Sequence, residues 1–166
     1  MFDDEIMARA TELLALCRTR KATLATVESC TGGLISGALT AVARSSDGVL
    51  GGLVTYANEA KTELARVQPE LLRSHGAVSP EVARAMAEGG RERLGATIAL
   101  AVTGVAGPAG GTEQKPVGLV HFGCAVRGQA TRHEEQRFGA LSRDEIRRLT
   151  VLHALDLGLR AAGALD

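Results

Sequence analysis

The chain has 166 residues, of which 45% are hydrophobic and only 2% aromatic, and it carries 19 basic and 19 acidic side chains. A chain of this length can bury a core without disulfides, and its formal net charge of zero gives no overall attraction to nucleic acid or an anionic membrane. The scarcity of aromatic residues also argues against a surface that stacks single-stranded bases.

The cysteines and the N-terminal residues indicate the cellular compartment in which the protein folds. Cys17, Cys30 and Cys124 are odd in number, far apart and without metal-ligand spacing, which favours a reducing compartment over a disulfide framework. Residues 1–5 are acidic where a signal peptide is basic, and no apolar run approaches the ~20 residues of a membrane span. The four histidines show no HxxxH or HxH pairing, so no metal is expected. The sequence predicts a cytoplasmic protein without a cofactor, membrane or nucleic-acid partner.

The first half of the chain alternates between helical and strand patterns. Residues 3–20 carry apolar side chains at helical spacing, with acids in the first turn and arginines in the last, which predicts an amphipathic helix. Residues 22–27 predict a short strand, and residues 34–43 predict a helix that packs on the sheet. Residues 49–57 predict a second strand, followed by a short helix with Asn58 as its N-cap.

The second half begins with a helix start at Ser79-Pro80-Glu81, and that helix should end by Gly95. Residues 97–102 predict a strand that leads into a glycine-rich loop at 103–112. The remaining elements are a two-stranded hairpin and a long C-terminal helix that opens on a capping box: 117–126, 131–138 and Ser142-Arg143-Asp144-Glu145. The prediction is a single domain over residues 1–166 with a three-layer α/β/α fold, whose sheet is mostly parallel with an antiparallel hairpin.

Polar residues lie at or just beyond the carboxyl ends of predicted strands, at Ser29, Tyr56 and Thr103. If these strands are parallel, their carboxyl ends meet at one edge of the sheet, where open α/β folds bind ligands. Ser29 is a weak nucleophile that needs a base. Lys61, in the first turn of a predicted helix, can supply it, because the helix dipole and burial both favour a neutral amine. Tyr56 can relay a proton, so the pattern indicates acyl transfer on an amide or ester.

The segment Ser29-Cys30-Thr31-Gly32-Gly33 precedes a predicted helix, and the N–H groups of its last three residues could stabilise an oxyanion. Alternatives remain open at this point. Ser29 and Thr31 can simply cap the helix. Lys61 can be a solvated surface amine, and Tyr56 a half-buried core residue. Cys30 competes for the role of nucleophile, since a thiol near a helix N-terminus has a lowered pKa.

The loop at 104–111 matches neither the dinucleotide nor the phosphate-loop glycine fingerprint. Its N–H groups could still hold a phosphate or ribose, with Lys115 or Arg143 adding charge, or the loop could be only a mobile hairpin connection. Arg143 lies in the first turn of the last predicted helix, where the dipole prefers an acid, and this mismatch points weakly to an anion.

Several motifs occur together in one order: Glu28-Ser29-Cys30-Thr31-Gly32-Gly33, the segment 52–61, His75-Gly76-Ala77-Val78-Ser79, and the glycine-rich segment 103–118. Together they resemble the CinA C-terminal domain family over nearly the whole chain. The family includes stand-alone enzymes that hydrolyse the carboxamide of nicotinamide mononucleotide (NMN) to nicotinic acid mononucleotide and ammonia. The resemblance implies an NMN deamidase of pyridine-nucleotide salvage, in the short form without the N-terminal domain of full-length CinA proteins, and a homo-oligomer.

The resemblance also implies site residues. The catalytic group of the family falls on Ser29, Tyr56 and Lys61. Residues implied to bind the substrate are Cys30, Thr31, Gly32, Gly33, Ser46, Asn58, Thr103, Gly104, Gly107 and Arg143. Two departures affect loops: Arg44 stands where the family pattern suggests glycine, and Ala140-Leu141-Ser142 replaces a Gly-Asp approach to Arg143. The alternative is a non-catalytic binding or regulatory module associated with competence and DNA damage.

Overall fold

The computed structural model describes all of residues 1–166. Its five strands and six α-helices follow in the order α1 Asp4–Thr19, β1 Leu24–Glu28, α2 Leu34–Thr40, β2 Val49–Val54, α3 Asn58–Ala65, α4 Pro69–His75, α5 Pro80–Leu94, β3 Ile98–Gly104, β4 Leu119–Val126, β5 Arg132–Arg137 and α6 Arg143–Gly163.

The strands form one mixed sheet in the order β2-β1-β3-β4-β5. Strand β1 pairs in parallel with both β2 and β3, while β4 is antiparallel to β3 and β5. Helices α1, α2 and α6 enclose the larger apolar core on one face, and α3, α4 and α5 cover a smaller core on the other. The predicted three-layer α/β/α class, with parallel strands and an antiparallel hairpin, is confirmed.

Helix starts follow the capping signals of the sequence. The side chains of Asp3, Ser79 and Ser142 each accept a hydrogen bond from a backbone N–H three residues ahead, at 2.9 Å, 3.3 Å and 3.2 Å. The prediction of Asn58 as the cap of α3 is wrong, because Ala57 occupies the cap position and Asn58 is the first helical residue. None of the helices combines the length and the apolar character needed to span a bilayer.

Helix α4 was absent from the sequence-based prediction. It has seven residues and none of them is buried, so it leaves no apolar periodicity to detect. A 3₁₀ turn at Ser45–Asp47 was also missed. Its flanking residue Arg44 has φ 64°, in the left-handed region that favours glycine, which gives a physical reason for the glycine that the family pattern suggests at this position.

The close contact between α3 and α5 depends on Gly89. A β-carbon at this position would overlap the carbonyl oxygen of Ala65 at the end of α3, and a backbone oxygen cannot rotate away. We expect Gly89→Ala to lower the free energy of unfolding by about 3 kcal/mol. Urea denaturation measures this, with Gly163→Ala as the control, because a β-carbon there would meet nothing closer than Leu16 at 3.8 Å. Equal stability of the two variants would contradict the close packing.

Candidate active site

The carboxyl ends of β1, β2 and β3 lie at one edge of the sheet, because these three strands are parallel. Ser29 directly follows β1, Tyr56 follows β2 by two residues, and Thr103 is the second-to-last residue of β3. The amide of Ser29 donates to the carbonyl of Val102 at 3.1 Å, which continues the pairing with β3 by one residue. The sheet therefore sets the backbone position of Ser29.

Lys61 reaches Ser29 from α3. Its Nζ donates to Ser29 Oγ at 3.1 Å and to the carbonyl oxygens of Thr55 at 2.7 Å and Tyr56 at 3.4 Å. None of these acceptors is a carboxylate, and Lys61 is only 1% exposed. Burial lowers the pKa of Lys61 below its ordinary value near 10.5. The alternative of a solvated surface amine is therefore excluded, and a neutral amine next to a serine hydroxyl can accept its proton.

The turn after Ser29 is organised by a residue that the sequence analysis did not single out, Glu28. Its buried carboxylate accepts hydrogen bonds from the N–H groups of Gly33 at 3.1 Å, Ile35 at 3.0 Å and Ser36 at 2.7 Å. Glu28, not Ser29 or Thr31, therefore caps α2, and the positive end of this helix is already occupied by a protein carboxylate. The available signal was an acid at the end of an apolar strand, separated by a turn of five residues from the next helix.

Two of the three backbone amides expected to hold an oxyanion have other hydrogen-bond partners. The Gly33 amide donates to Glu28, the Gly32 amide donates to the Ser29 carbonyl at 3.1 Å, and Thr31 is fully buried. The expectation is corrected for the amides of Gly32 and Gly33, whereas the Thr31 amide makes no hydrogen bond within the chain. The amide of Cys30 makes no hydrogen bond within the chain and adjoins the serine. With the Thr31 amide, it is a candidate donor to the oxyanion that forms on the substrate's carbonyl oxygen when Ser29 Oγ attacks.

The side chain of Tyr56 lies on the rim of the site and is exposed. Arg143 Nη2 donates to its hydroxyl at 3.3 Å, and Nη1 of the same guanidinium donates to the carbonyl of Gly107 at 2.7 Å. The phenol is thus bonded to Arg143 and not to Ser29 or Lys61. Arg143 joins the glycine-rich loop to the end of β2, and both of its acceptors are uncharged. Its charge is therefore available to an anion.

A second arginine, Arg147, was missed although it lies one helical turn beyond Arg143. Its Nη2 donates to the carbonyl of Thr31 at 3.2 Å, and its Nε is buried with no hydrogen-bond partner. Four-residue spacing on α6 was the only sequence signal. Arg147 supports the turn after Ser29 from the face of the sheet opposite to α3.

Of the other residues predicted to bind the substrate, some lie at the edge of the sheet near Ser29 and one does not. Thr103 is buried and donates its hydroxyl to the carbonyl of Ala77 at 2.8 Å, and Gly104 is a site of close strand approach, where a β-carbon would come within 2.7 Å of Val120. Asn58 is exposed at the start of α3. Ser46 is not brought to this edge, because its 3₁₀ turn precedes β2 and lies beside the amino end of β1.

The glycine-rich loop is held at a second point. The ammonium of Lys115 donates to the carbonyl of His75 at 2.8 Å, so it ties this loop to the α4–α5 connection instead of facing Ser29. Gly107 has φ 74° and a β-carbon there would meet Val117 at 2.6 Å, so this position requires glycine.

No deep cavity contains the Ser29–Lys61 pair. A cavity of about 460 Å³ lies between α3 and α4 and is lined by Asn58, Glu59 and Thr62 among others, and neither of the two smaller cavities includes Ser29 or Lys61. Ser29 is 8% exposed. Lys61 Nζ bonds to both the Ser29 hydroxyl and the Tyr56 carbonyl, so Ser29 lies next to the backbone of Tyr56, whose exposed ring forms the rim of the site with Arg143. No group of three or more His, Cys, Asp or Glu side chains is placed to hold a metal ion.

Cys30 does not have the environment of a reactive thiol. Burial raises its pKa to about 12, and burial likewise raises the pKa values of Cys17 and Cys124 to about 11. We expect all three thiols of the native protein to react slowly with DTNB at pH 8 and to react fully in urea. A single thiol that reacts rapidly in the native state, identified as Cys30 by mass spectrometry of the labelled peptide, would contradict this expectation.

Comparison with known proteins identifies the family. The model of the CinA C-terminal domain matches residues 7–161. A CinA-like protein of Synechococcus sp. strain RCC307 is 52% identical over 157 residues, which are 93% of this chain and 37% of that protein. A CinA-like protein of Gloeobacter violaceus is 52% identical over 156 residues. The chain spans about a third of the length of these curated relatives.

Solved structures give the same result. The competence/damage inducible protein CihA of Agrobacterium tumefaciens is 44% identical and superimposes with a TM-score of 0.94, covering 98% of each chain. The competence damage-inducible protein A of Klebsiella pneumoniae is 33% identical with a TM-score of 0.92, covering 97% of this chain and 99% of that one. This chain belongs to the CinA C-terminal domain family.

Proposed function

We propose that the protein is an amidohydrolase that converts nicotinamide mononucleotide to nicotinic acid mononucleotide and ammonia. The observation that carries the proposal is the contact of a buried amine, Lys61, with the hydroxyl of Ser29 at 3.1 Å. A serine with a neutral amine as its base suits acyl transfer from an amide. The names of the relatives refer to competence and damage and state no reaction, so NMN as substrate rests on the resemblance of the motifs.

In the proposed reaction Ser29 Oγ attacks the carboxamide carbon while Lys61 Nζ takes the hydroxyl proton. The Cys30 amide donates to the oxyanion of the tetrahedral intermediate. The C–N bond then breaks, the leaving nitrogen receives the phenolic proton of Tyr56 and departs as ammonia, and a nicotinoyl ester remains on Ser29. The proton held by Lys61 returns through solvent to the Tyr56 phenolate, so Lys61 is neutral again before the ester is hydrolysed. Water attacks this ester with Lys61 again as base, which releases the carboxylate product and restores the serine.

Substrate binding is assigned to the rim. The phosphate of NMN carries a negative charge, and Arg143 is a cation whose present acceptors, Gly107 and Tyr56, are both neutral. Gly104 and Gly107 shape the glycine-rich loop beside Arg143, and Asn58 lies at the N-terminus of α3.

We place the reaction in the cytoplasm, since all three cysteines are unpaired.

We also propose a homo-oligomer. The edge strand β2 carries exposed apolar side chains, Leu50 and Val54, whereas the opposite edge strand β5 is charged along its length. An uncharged edge can pair with a second chain, while charges on an edge oppose pairing.

Incubation of the purified protein with NMN tests the reaction. We expect ammonia and nicotinic acid mononucleotide in equal amounts, whereas free nicotinamide, which lacks the ribose and phosphate, should be hydrolysed far more slowly. If NMN releases no ammonia, the proposal fails, and the alternative of a non-catalytic module associated with competence and DNA damage is favoured.

Tyr56 is proposed to give the leaving nitrogen its proton. Its hydroxyl oxygen accepts from Arg143, so the phenolic proton is free to be donated. We expect Tyr56→Phe to lower kcat by about 10²-fold, in the range of general acid catalysis, with a smaller change in KM. Steady-state ammonia release measures both constants. If kcat is unchanged and only KM rises, the ring of Tyr56 contacts the substrate and its hydroxyl transfers no proton.

A further inference from the structure

The carboxylate of Glu28 is the most heavily hydrogen-bonded group in the protein core. It is 1% exposed, and in addition to the three amides at the N-terminus of α2 it accepts from the hydroxyls of Thr31 at 2.6 Å and Thr26 at 3.2 Å. These five donors come from three pieces of the chain: strand β1, the turn after Ser29, and the first turn of α2. A single side chain therefore fixes both ends of the turn that presents the serine.

The main chain of Glu28 fixes the other half of the catalytic pair. Its carbonyl oxygen accepts from the amide of Thr55 at 2.8 Å. The carbonyl of Thr55 in turn accepts the shortest hydrogen bond of Lys61, at 2.7 Å. The side chain of Glu28 thus holds the turn that carries the nucleophile, and its backbone holds the residue that orients the base.

Helix capping alone does not account for this arrangement. Helix α2 has only seven residues, and a neutral serine or threonine is enough to cap a helix. Burying a carboxylate costs free energy unless hydrogen bonds satisfy its lone pairs. A buried carboxylate that is fully hydrogen-bonded holds its donors in one fixed arrangement, and we infer that this arrangement is what Glu28 contributes.

We propose that Glu28 is a positioning residue for the nucleophile: through Thr31 and the amides of α2 it keeps Ser29 Oγ within hydrogen-bond distance of Lys61. This inference depends on the part of the proposed function that makes Ser29 the nucleophile, and not on the identity of the substrate. Misplacement of a reacting group by about 1 Å can reduce a rate by about 10²-fold, so the loss of one buried hydrogen bond is measurable.

The test measures how fast a fluorophosphonate labels Ser29. In that reaction the Oγ–P bond forms, the hydroxyl proton goes to Lys61, and fluoride leaves as the P–F bond breaks, so the rate reports the alignment of serine and base without NMN. Glu28→Gln is the direct variant. Thr31→Val removes only the hydrogen bond of 2.6 Å and keeps the side-chain shape, and Thr31→Ser restores a hydroxyl.

Thr150→Val is the matched control, because Thr150 is a fully buried threonine whose hydroxyl donates only to the carbonyl of Ile146 in its own helix. We expect Thr31→Val to be labelled about tenfold more slowly than the parent, Thr31→Ser to recover most of that loss, and Thr150→Val to match the parent. In NMN hydrolysis the loss should appear in kcat and not in KM.

The outcomes separate the two proposals. A folded Thr31→Val protein that is labelled at the parent rate would show that Glu28 only caps α2. If labelling slows equally in Thr31→Val and Thr150→Val, the slower labelling is caused by a general loss of stability, and the inference is also overturned. If Ser29 of the parent is not labelled at all, the inference and the nucleophile fail together. If Ser29 is labelled but NMN is not hydrolysed, only the proposed substrate fails.

Discussion

Ser29→Ala is expected to reduce kcat for NMN hydrolysis by about 10⁴-fold or more while leaving KM and stability nearly unchanged. Without Oγ no covalent intermediate can form, and the remaining site can only polarise the amide. The hydroxyl of Ser29 takes part in a single hydrogen bond, which it accepts from Lys61, and the backbone bonds of Ser29 to Val102 and Gly32 remain. The fold should therefore tolerate the substitution.

Ammonia release under saturating NMN measures the loss, and thermal unfolding by circular dichroism is the control for folding. A second measurement is specific to the chemistry: mass spectrometry after rapid acid quench should detect a nicotinoyl adduct on the parent and none on Ser29→Ala. Retention of more than about 1% of the parent kcat would assign the nucleophile to another group.

Sequence alone could predict the meeting of Ser29 and Lys61, because both positions follow from backbone geometry. Parallel strands bring their carboxyl ends to one edge, and a residue in the first turn of the next helix lies at the same edge. Strand register and the direction of α3 then place Lys61 Nζ at 3.1 Å from Ser29 Oγ. The positions of strands and helices along the chain are local and regular, and the hydrophobic pattern of the sequence predicts them.

Features that depend on distant side chains could not be predicted. The orientation of Tyr56 is set by Arg143, which lies 87 residues later, and the support of the turn at Thr31 by Arg147 spans 116 residues. No periodicity links such positions. The capping of the α2 N-terminus has another origin: the carboxylate that caps it belongs to Glu28, at the end of β1, and not to the turn residues that directly precede the helix, where capping side chains usually lie. The motif Glu28-Ser29-Cys30-Thr31-Gly32-Gly33, which resembles the CinA C-terminal domain family, contains Glu28 but implies no role for it.

Lys61→Met is expected to lower kcat by about 10³-fold, because the proton of Ser29 then has no acceptor. The variant should also be more stable than the parent at pH 7, by about 1 kcal/mol. Lys61 is 1% exposed without a carboxylate partner, so the folded state bears the cost of desolvating an amine, which methionine avoids. The hydrogen bond lost to the Thr55 carbonyl offsets only part of this gain.

The pH dependence of both effects follows from the lowered pKa of Lys61. Between this folded-state pKa and the ordinary value near 10.5, the unfolded chain holds a proton that the folded chain does not, so the stability of the parent rises with pH across that window. The methionine variant lacks this gain. Its stability advantage should be largest below the folded-state pKa and should shrink as the pH rises toward 10. Over the same window kcat/KM of the parent should rise to a plateau as Lys61 loses its proton.

Urea denaturation of both proteins at pH 6 and pH 10 measures the difference, with Lys21→Met as the control, since Lys21 is exposed and lies beyond the amino end of β1, at the end of that strand opposite to Ser29. Lys21→Met should show neither the gain in stability nor the loss of activity. A Lys61→Met protein that is less stable than the parent by the same amount at both pH values would mean that the amine stays charged in the folded state. A charged Lys61 could not accept the proton of Ser29, and the hydrolytic mechanism would then require a different base.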